Sequence, residues 1–407
     1  MVQTEFDCAV VGGGLVGATL ALALGQNGIR TAVIEAVEFD ASAQPSFDDR
    51  GLALAASSIR ILDALGVGES STADATPIAR VHVSDEGCFS AVRLAAEAIG
   101  WSELGRVIIA RRLGGALLAL AKNTKDITWF CPARLSGFSQ QPDLVYMGVA
   151  AGADKFEIQA PLMIVADGTD SRTRVALGVG VAEFDYQQSA VVTTAAPERE
   201  HNNTAFERFT RQGLVATLPL ANGRCGLVIV AEQRAAQAIA AQGDEEFCNY
   251  ISERFGGRLG RVSEAGQRGE YGLRRLRAEH VHGARFVLIG NAAQTVHPNA
   301  AQGLNLGFRQ VAILAELLVD AYRQGIDLGE PALLSRYAQT VDDDRRRILR
   351  FTHGLGELFY NDFPLAIAAR GSAMLAIDLI PALKCHVIEV LAGLAHPQPK
   401  LVQGLPL

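Results

Sequence analysis

Glycines 12, 14 and 17 stand at the spacing G-x-G-x-x-G inside Val10-Val11-Gly12-Gly13-Gly14-Leu15-Val16-Gly17. That spacing suits one kind of chemistry, the holding of a diphosphate. Gly12 permits the tight turn, Gly14 lets a pyrophosphate approach the backbone, and Gly17 lets the following helix pack closely on the preceding strand. The helix start supplies unpaired N–H donors and the positive end of its dipole. Glu35 closes the next apolar run, where a carboxylate accepts both hydroxyls of an adenosine ribose and repels a 2′-phosphate. Nucleotide binding is the reading. NAD and FAD both satisfy it, and the competing reading is a glycine-rich turn without a ligand.

Two further stretches follow apolar runs. Asp167-Gly168-Thr169-Asp170-Ser171-Arg172-Thr173-Arg174 fits D-G-x-x-S-x-x-R, although a bare Asp-Gly is more often only a turn. Residues 290–307 read GNAAQTVHPNAAQGLNLG and hold three glycines, three asparagines and a proline. Taken alone, that stretch is a long loop leading into a helix. His297 is its one titratable side chain and the candidate acid–base group, with a structural hydrogen-bonding role as the commoner alternative. His280, His282 and His353 are weaker candidates. The six cysteines are scattered with no C-x-x-C or Cys/His metal spacing, so they read as reduced thiols in a cytoplasmic protein, and no metal is expected.

The elements that must position these residues follow from pattern. Residues 6–11 and 31–34 read as buried parallel strands flanking a helix at 18–26 that stops at Asn27-Gly28. Helices are expected at 57–65, 111–122, 244–255 and 304–324, and helical pattern fills 330–395. A hairpin is expected over 81–94, three strands over 128–159, and single buried strands at 162–166 and 286–289. Residues 184–275 alternate in the manner of an antiparallel sheet. The chain has 407 residues, 49% of them hydrophobic and 20% charged, with net charge −7. That is enough for two domains and a large core. The absence of a basic block argues against a nucleic-acid partner. No stretch of 18 apolar residues exists to span a membrane; the nearest, 363–395, is broken by Arg370, Asp378, Lys384 and Glu389.

The three glycine sites, in this order, resemble the flavoprotein aromatic hydroxylases of the para-hydroxybenzoate hydroxylase type. Within them the likeness is to the ubiquinone-biosynthesis hydroxylases, the branch acting on 2-polyprenyl-6-methoxyphenol. It covers nearly the whole chain and includes Phe47-Asp48-Asp49-Arg50-Gly51-Leu52-Ala53-Leu54, Val81-His82-Val83-Ser84-Asp85, Ala205-Phe206-Glu207-Arg208-Phe209-Thr210 and Gly290-Asn291-Ala292-Ala293-Gln294-Thr295-Val296-His297-Pro298. The resemblance implies an α/β fold with an α+β insert. A discontinuous Rossmann-type FAD-binding domain (1–79, 101–183 and 276–335) would be interleaved with a mixed or antiparallel substrate-sheet domain (80–100 and 184–275), followed by C-terminal helices (336–407).

It further implies FAD, with Gly12, Gly14, Gly17 and Glu35 on the ADP half and Arg50 and Arg111 near the pyrophosphate and flavin. Asp167 and Gly168 would serve both FAD and NAD(P)H. Gly290, Asn291, Pro298, Gln302, Gly303 and Asn305 would lie along the ribitol and flavin ring. The implied reaction is reduction of FAD by NAD(P)H, addition of O₂ at the flavin C4a, and transfer of one oxygen to a polyprenyl phenol. A prenyl tail calls for an apolar channel or peripheral membrane contact. The 363–395 segment could serve there, at a homo-oligomer interface or against another quinone-biosynthesis protein, or simply pack on the FAD domain. Three positions depart from the broad family pattern: Asn291 replaces Asp, Gln294 replaces His and Ala301 replaces Gly.

Overall fold

The computed structural model describes residues 3–39, 49–68, 75–255, 257–359, 363–395 and 398–407. Phe47 and Asp48 of the quoted motif lie outside the described residues. A parallel sheet forms the centre, ordered Phe286–Leu288, Met163–Val165, Cys8–Val11, Thr31–Ile34, Ile127–Phe130, with His282–Gly283 antiparallel at one edge. Its four inner strands, Phe286–Leu288, Met163–Val165, Cys8–Val11 and Thr31–Ile34, are buried on both faces, which is why they read as unbroken apolar runs. Helix Leu15–Gly25 is buried along almost its whole length, with Leu20, Leu22 and Leu24 fully enclosed. Each such leucine contributes on the order of 1.5–3 kcal/mol by burial, so the helix that carries the first glycine site is rigidly seated.

The antiparallel region forms a nine-stranded sheet. Its order is Gln294–Thr295, Gly269–Ala278, Val181–Pro197, Cys225–Glu232, Gly213–Pro219, Thr204–Thr210, Arg80–Asp85, Ala91–Ala95, and Val262–Ala265 pairs with Val181–Pro197 beside this path. Thr204–Thr210 runs parallel to Arg80–Asp85, and this one pairing brings the early hairpin into the sheet. Helices Gln233–Ala240 and Asp244–Phe255 cover one face. The other face carries Phe209, Leu214 and Val230, which pack with Phe359, Met374 and Ile388 from the C-terminal helices Pro331–Phe359, Pro364–Leu379 and Pro381–Ala392. Arg370 anchors that packing through a buried ion pair with Asp85 at 2.6 Å.

Three expectations change. The run 6–11 divides: only Cys8–Val11 joins the central sheet, while Phe6 donates its N–H to the Gln159 carbonyl at 3.0 Å, continuing the pairing of Gln3–Glu5 with Asp154–Ala160, and Asp7 turns aside to bind the Arg30 backbone and guanidinium. Residues 128–159 hold four strands, not three. Ile127–Phe130 joins the central sheet, and Arg134–Gln140, Val145–Ala151 and Asp154–Ala160 form a separate sheet. A small sheet of Gly51–Ala55, Gly105–Ile109 and Thr76–Ile78 has no counterpart in the sequence reading. Its short strands lack a distinct period of their own.

Candidate functional site

The first glycine turn is fixed by close contact. Gly12 has φ +104°, and a Cβ there would lie 2.4 Å from the Ala166 carbonyl oxygen; a Cβ at Gly17 would lie 2.0 Å from the Gly12 carbonyl oxygen. Any larger residue forces strand, turn and helix apart. Ala166 donates its N–H to the Val11 carbonyl at 2.7 Å, which carries Asp167 and Gly168 to the flank of this turn. From another side, Gly290 and Gly307 both pack on Val16. Three segments far apart in sequence therefore meet around the start of helix Leu15–Gly25. Gly14 is its N-cap and has no capping side chain, so the first-turn N–H groups stay available to an anion.

Glu35 is buried and its carboxylate organises the turn. Oε2 accepts from the Gly13 N–H at 2.7 Å and Oε1 from the Val37 N–H at 2.8 Å. Each oxygen retains lone pairs for a ribose hydroxyl. Asp167 Oδ2 accepts from the Thr173 N–H at 3.1 Å, while its Oδ1 is buried with no partner among the described residues. Gly168 adopts φ +88°. Arg174, closing the same motif, donates to the Ala292 carbonyl at 2.9 Å and the Thr169 carbonyl at 3.1 Å. It cross-links the second glycine site to the third.

The third site is stitched to both neighbours. Gln294 and Thr295 pair with Arg277 and Leu276, making this loop an edge of the large sheet. Gln294 and Gln310 exchange amide hydrogen bonds at 2.9 and 3.1 Å, and Gln310 Oε1 also accepts from the Gly290 N–H at 2.9 Å. The Gln294 departure thus has a local partner sixteen residues on. Asn305 is saturated by protein. It accepts from the Ala55 N–H and the Ser58 hydroxyl and donates to the Ala53 and Ala301 carbonyls. It clamps strand Gly51–Ala55 to helix Gln302–Arg323 and has no capacity left for a ligand. Gln302 donates to the Ala300 and Leu391 carbonyls, and its Oε1 is buried without a partner among the described residues. Pro298 opens a short turn ahead of that helix, Gly303 lies against Val296, and Asn291 is exposed.

Ala300 and Ala301 both take positive φ, +58° and +49°. Such backbone is unfavourable for alanine and persists only where surroundings over-determine it. Asn305 supplies one restraint through the Ala301 carbonyl. Glu207, on strand Thr204–Thr210, supplies another by accepting from the Ala300 N–H at 3.3 Å. Burial pushes the Glu207 carboxyl up to about 7 against the opposing pull of that N–H.

His297 is buried, and that burial pushes it down to about 4. Its Nδ1 accepts from the Asn299 N–H at 3.3 Å, which leaves Nε2 to donate towards Gln188 at 3.4 Å. Tyr186 meets its ring edge-on at 4.7 Å and reaches His353 Nδ1 at 3.2 Å. Both ring nitrogens of this imidazole are thereby engaged within the protein.

Arg50 and Arg111 stand at neighbouring strand ends, where the Ala110 N–H donates to the Arg50 carbonyl at 2.9 Å. The Arg50 guanidinium sits 4.9 Å above the Tyr271 ring. Arg111 is exposed and pairs with Asp49 at 3.1 Å. Glu207 and Gln310 carry no role in the sequence reading, because their partners lie 93 and 20 residues away. No group of His, Cys, Asp and Glu among the described residues could hold a metal ion.

With this geometry in view, residues 5–352 match the family model described as the FAD binding domain. The chain is 34% identical to ubiquinone hydroxylase UbiL of Rhodospirillum rubrum, over 98% of this chain and 93% of that one. It is 30% identical to 3-demethoxyubiquinol 3-hydroxylase of Escherichia coli, over 97% and 100%. Among solved structures, p-nitrophenol 4-monooxygenase PnpA of Pseudomonas putida superposes with TM-score 0.79 over 96% of this chain and 99% of that one, at 17% identity. That likeness is one of fold.

Proposed function

The chain belongs to the FAD-binding domain family and, within it, to the ubiquinone-biosynthesis hydroxylases, and from that premise we propose that it hydroxylates the aromatic ring of a polyprenylated phenol of the 2-polyprenyl-6-methoxyphenol kind, with NAD(P)H as reductant. The enzyme is an FAD-dependent hydroxylase that takes a substrate and O₂. The residues present fit FAD. The glycine turn leaves uncapped N–H groups, and the buried Asp167 Oδ1 and Gln302 Oε1 await polar partners. When bound, FAD supplies the redox chemistry that activates O₂ and passes one oxygen atom to the ring.

The chain's own part is to bind, orient and exclude water. Gly12, Gly14, Gly17 and the start of helix Leu15–Gly25 would hold the pyrophosphate, and Glu35 the ribose. Arg50, Arg111, Asp167 and Gly168 would line the passage towards the ring, and Gly290, Asn291, Pro298, Gln302 and Gly303 would take ribitol and ring. Helix Gln302–Arg323 starts without a capping side chain, so its N–H groups would favour negative charge on a group bound there. His297 keeps the loop in register.

The observation that carries this reading is the pairing of Gln294–Thr295 with Leu276–Arg277. One segment belongs both to the loop that would take the cofactor and to the large sheet, so a ring on that sheet would be held at a fixed place relative to the cofactor. Exposed Leu365, Leu379, Ile380 and Leu383 on the C-terminal helices support peripheral contact with the lipid phase that carries a prenyl tail. No helix among the described residues is long and apolar enough to cross a membrane. The test is a coupled assay with a short-chain prenylated methoxyphenol. The expected result is phenol-stimulated NAD(P)H oxidation with stoichiometric hydroxylated product. Oxidation that yields no hydroxylated ring overturns the reading.

A further inference from the structure

We propose that Glu207 is the base that takes the phenolic proton of the substrate, an assignment that rests on the function proposed above. Glu207 shares its sheet face with Phe209, which stacks on Phe359 at 3.7 Å between ring centroids. This is the face turned towards the C-terminal helices and the cofactor loop. One carboxylate oxygen is held by the Ala300 N–H, at the first of the two left-handed alanines. The other accepts no hydrogen bond from a described residue. The Ala300 contact fixes the carboxylate against the segment implied to carry the flavin ring, with one oxygen left over for a substrate.

The surroundings leave this carboxylate uncompensated. Its partners across the sheet, Val83 and Ala216, carry no charge. Arg208 next to it points to the opposite face, and Asp85 at the end of the paired strand is bound to Arg370. On the C-terminal helices, Lys384 is bound to Asp378. The loop offers only His297, which burial keeps neutral near pH 7. A purely structural acceptor for Ala300 would not need a charge. A carboxylate whose affinity for a proton lies near neutrality is matched to proton transfer at physiological pH.

The step balances. The phenol O–H bond breaks, its proton bonds to the free Glu207 oxygen, and the electron pair stays on the phenol oxygen, raising density at the ring carbon to be oxygenated. After one oxygen atom from O₂ has bonded to the ring carbon, that carbon's own hydrogen leaves as a proton that ends in the water formed from the second oxygen atom, and Glu207 returns the first proton to the phenolate oxygen of the product.

Glu207→Gln preserves size and an oxygen acceptor for Ala300 but cannot take the proton. In the FAD-loaded variant, flavin content and the rate of flavin reduction by NAD(P)H should match wild type. Hydroxylation should fall about 100-fold or more, and the inflection near neutral pH in the wild-type hydroxylation profile should vanish. Glu207→Asp should restore part of the rate with an inflection. A Gln variant that hydroxylates at the wild-type rate with an unchanged profile overturns the assignment alone. A wild-type enzyme that hydroxylates no phenol overturns the function proposed above and the assignment with it.

Discussion

Ala301 is a position where a residue pays a measurable conformational cost. A left-handed backbone costs a non-glycine residue about 1–2 kcal/mol, while glycine returns about 0.5–1 kcal/mol through its freedom in the unfolded chain. Ala301→Gly should therefore raise stability by about 0.5–1 kcal/mol, read as a higher urea midpoint; a lowered midpoint would show that Asn305 has made the left-handed alanine free of strain. Two other side chains set opposed pH dependences. Glu207 titrates near 7 folded against 4.5 for the ordinary carboxyl, so its contribution is present below 4.5 and is lost as pH rises to about 7. His297 titrates near 4 folded against the ordinary 6.5, so its contribution is present above 6.5 and is lost as pH falls to about 4. Between about 4.5 and 6.5 the two slopes oppose each other. Urea midpoints of Glu207→Gln should rise with pH across that window and those of His297→Gln should fall. Parallel profiles in the two variants would contradict the assignment.

At the scale of elements, the loop that precedes helix Gln302–Arg323 is held by side chains of that helix. Gln310→Leu removes the acceptor of the Gly290 N–H and both amide bonds of Gln294. Each buried polar group left unpaired costs about 1–3 kcal/mol, so a loss of about 2–4 kcal/mol with weaker FAD retention is expected, measured by urea melts and flavin absorbance per chain. Normal flavin content and an unchanged midpoint would mean that water replaces the amide. The sequence made this loop visible as a composition, since glycine, asparagine and proline cluster between a strand and a helix. The same local signals located helices Asp244–Phe255 and Ala110–Lys122 closely. What stayed illegible depends on distant partners. Asn305 reads as a ligand contact but spends its amide on Ala53, Ala55, Ser58 and Ala301. Glu207 reads as one more polar strand residue until Ala300 is placed beside it. The sheet of Gly51–Ala55, Gly105–Ile109 and Thr76–Ile78 forms only by pairing across roughly thirty to sixty residues.

On the scale of the whole molecule, the site is assembled from three visits of the chain to the central sheet. A ligand that bridges those visits must stabilise the native state as a unit. FAD at a hundredfold excess over its Kd should add about 2.7 kcal/mol to unfolding stability, seen as a concentration-dependent urea midpoint that tracks flavin binding. A midpoint indifferent to FAD would show that the three segments do not form one site. The same arrangement has a consequence for synthesis. Gly12 leaves the ribosome long before Gly290, and at roughly 5–20 residues per second the interval is about 14–56 s. During that time the nascent chain carries half a site, with Val16 lacking the glycines that will cover it and strand Gly269–Ala278 lacking its edge. A chain that stalls before helix Gln302–Arg323 emerges should therefore retain less flavin than the finished chain.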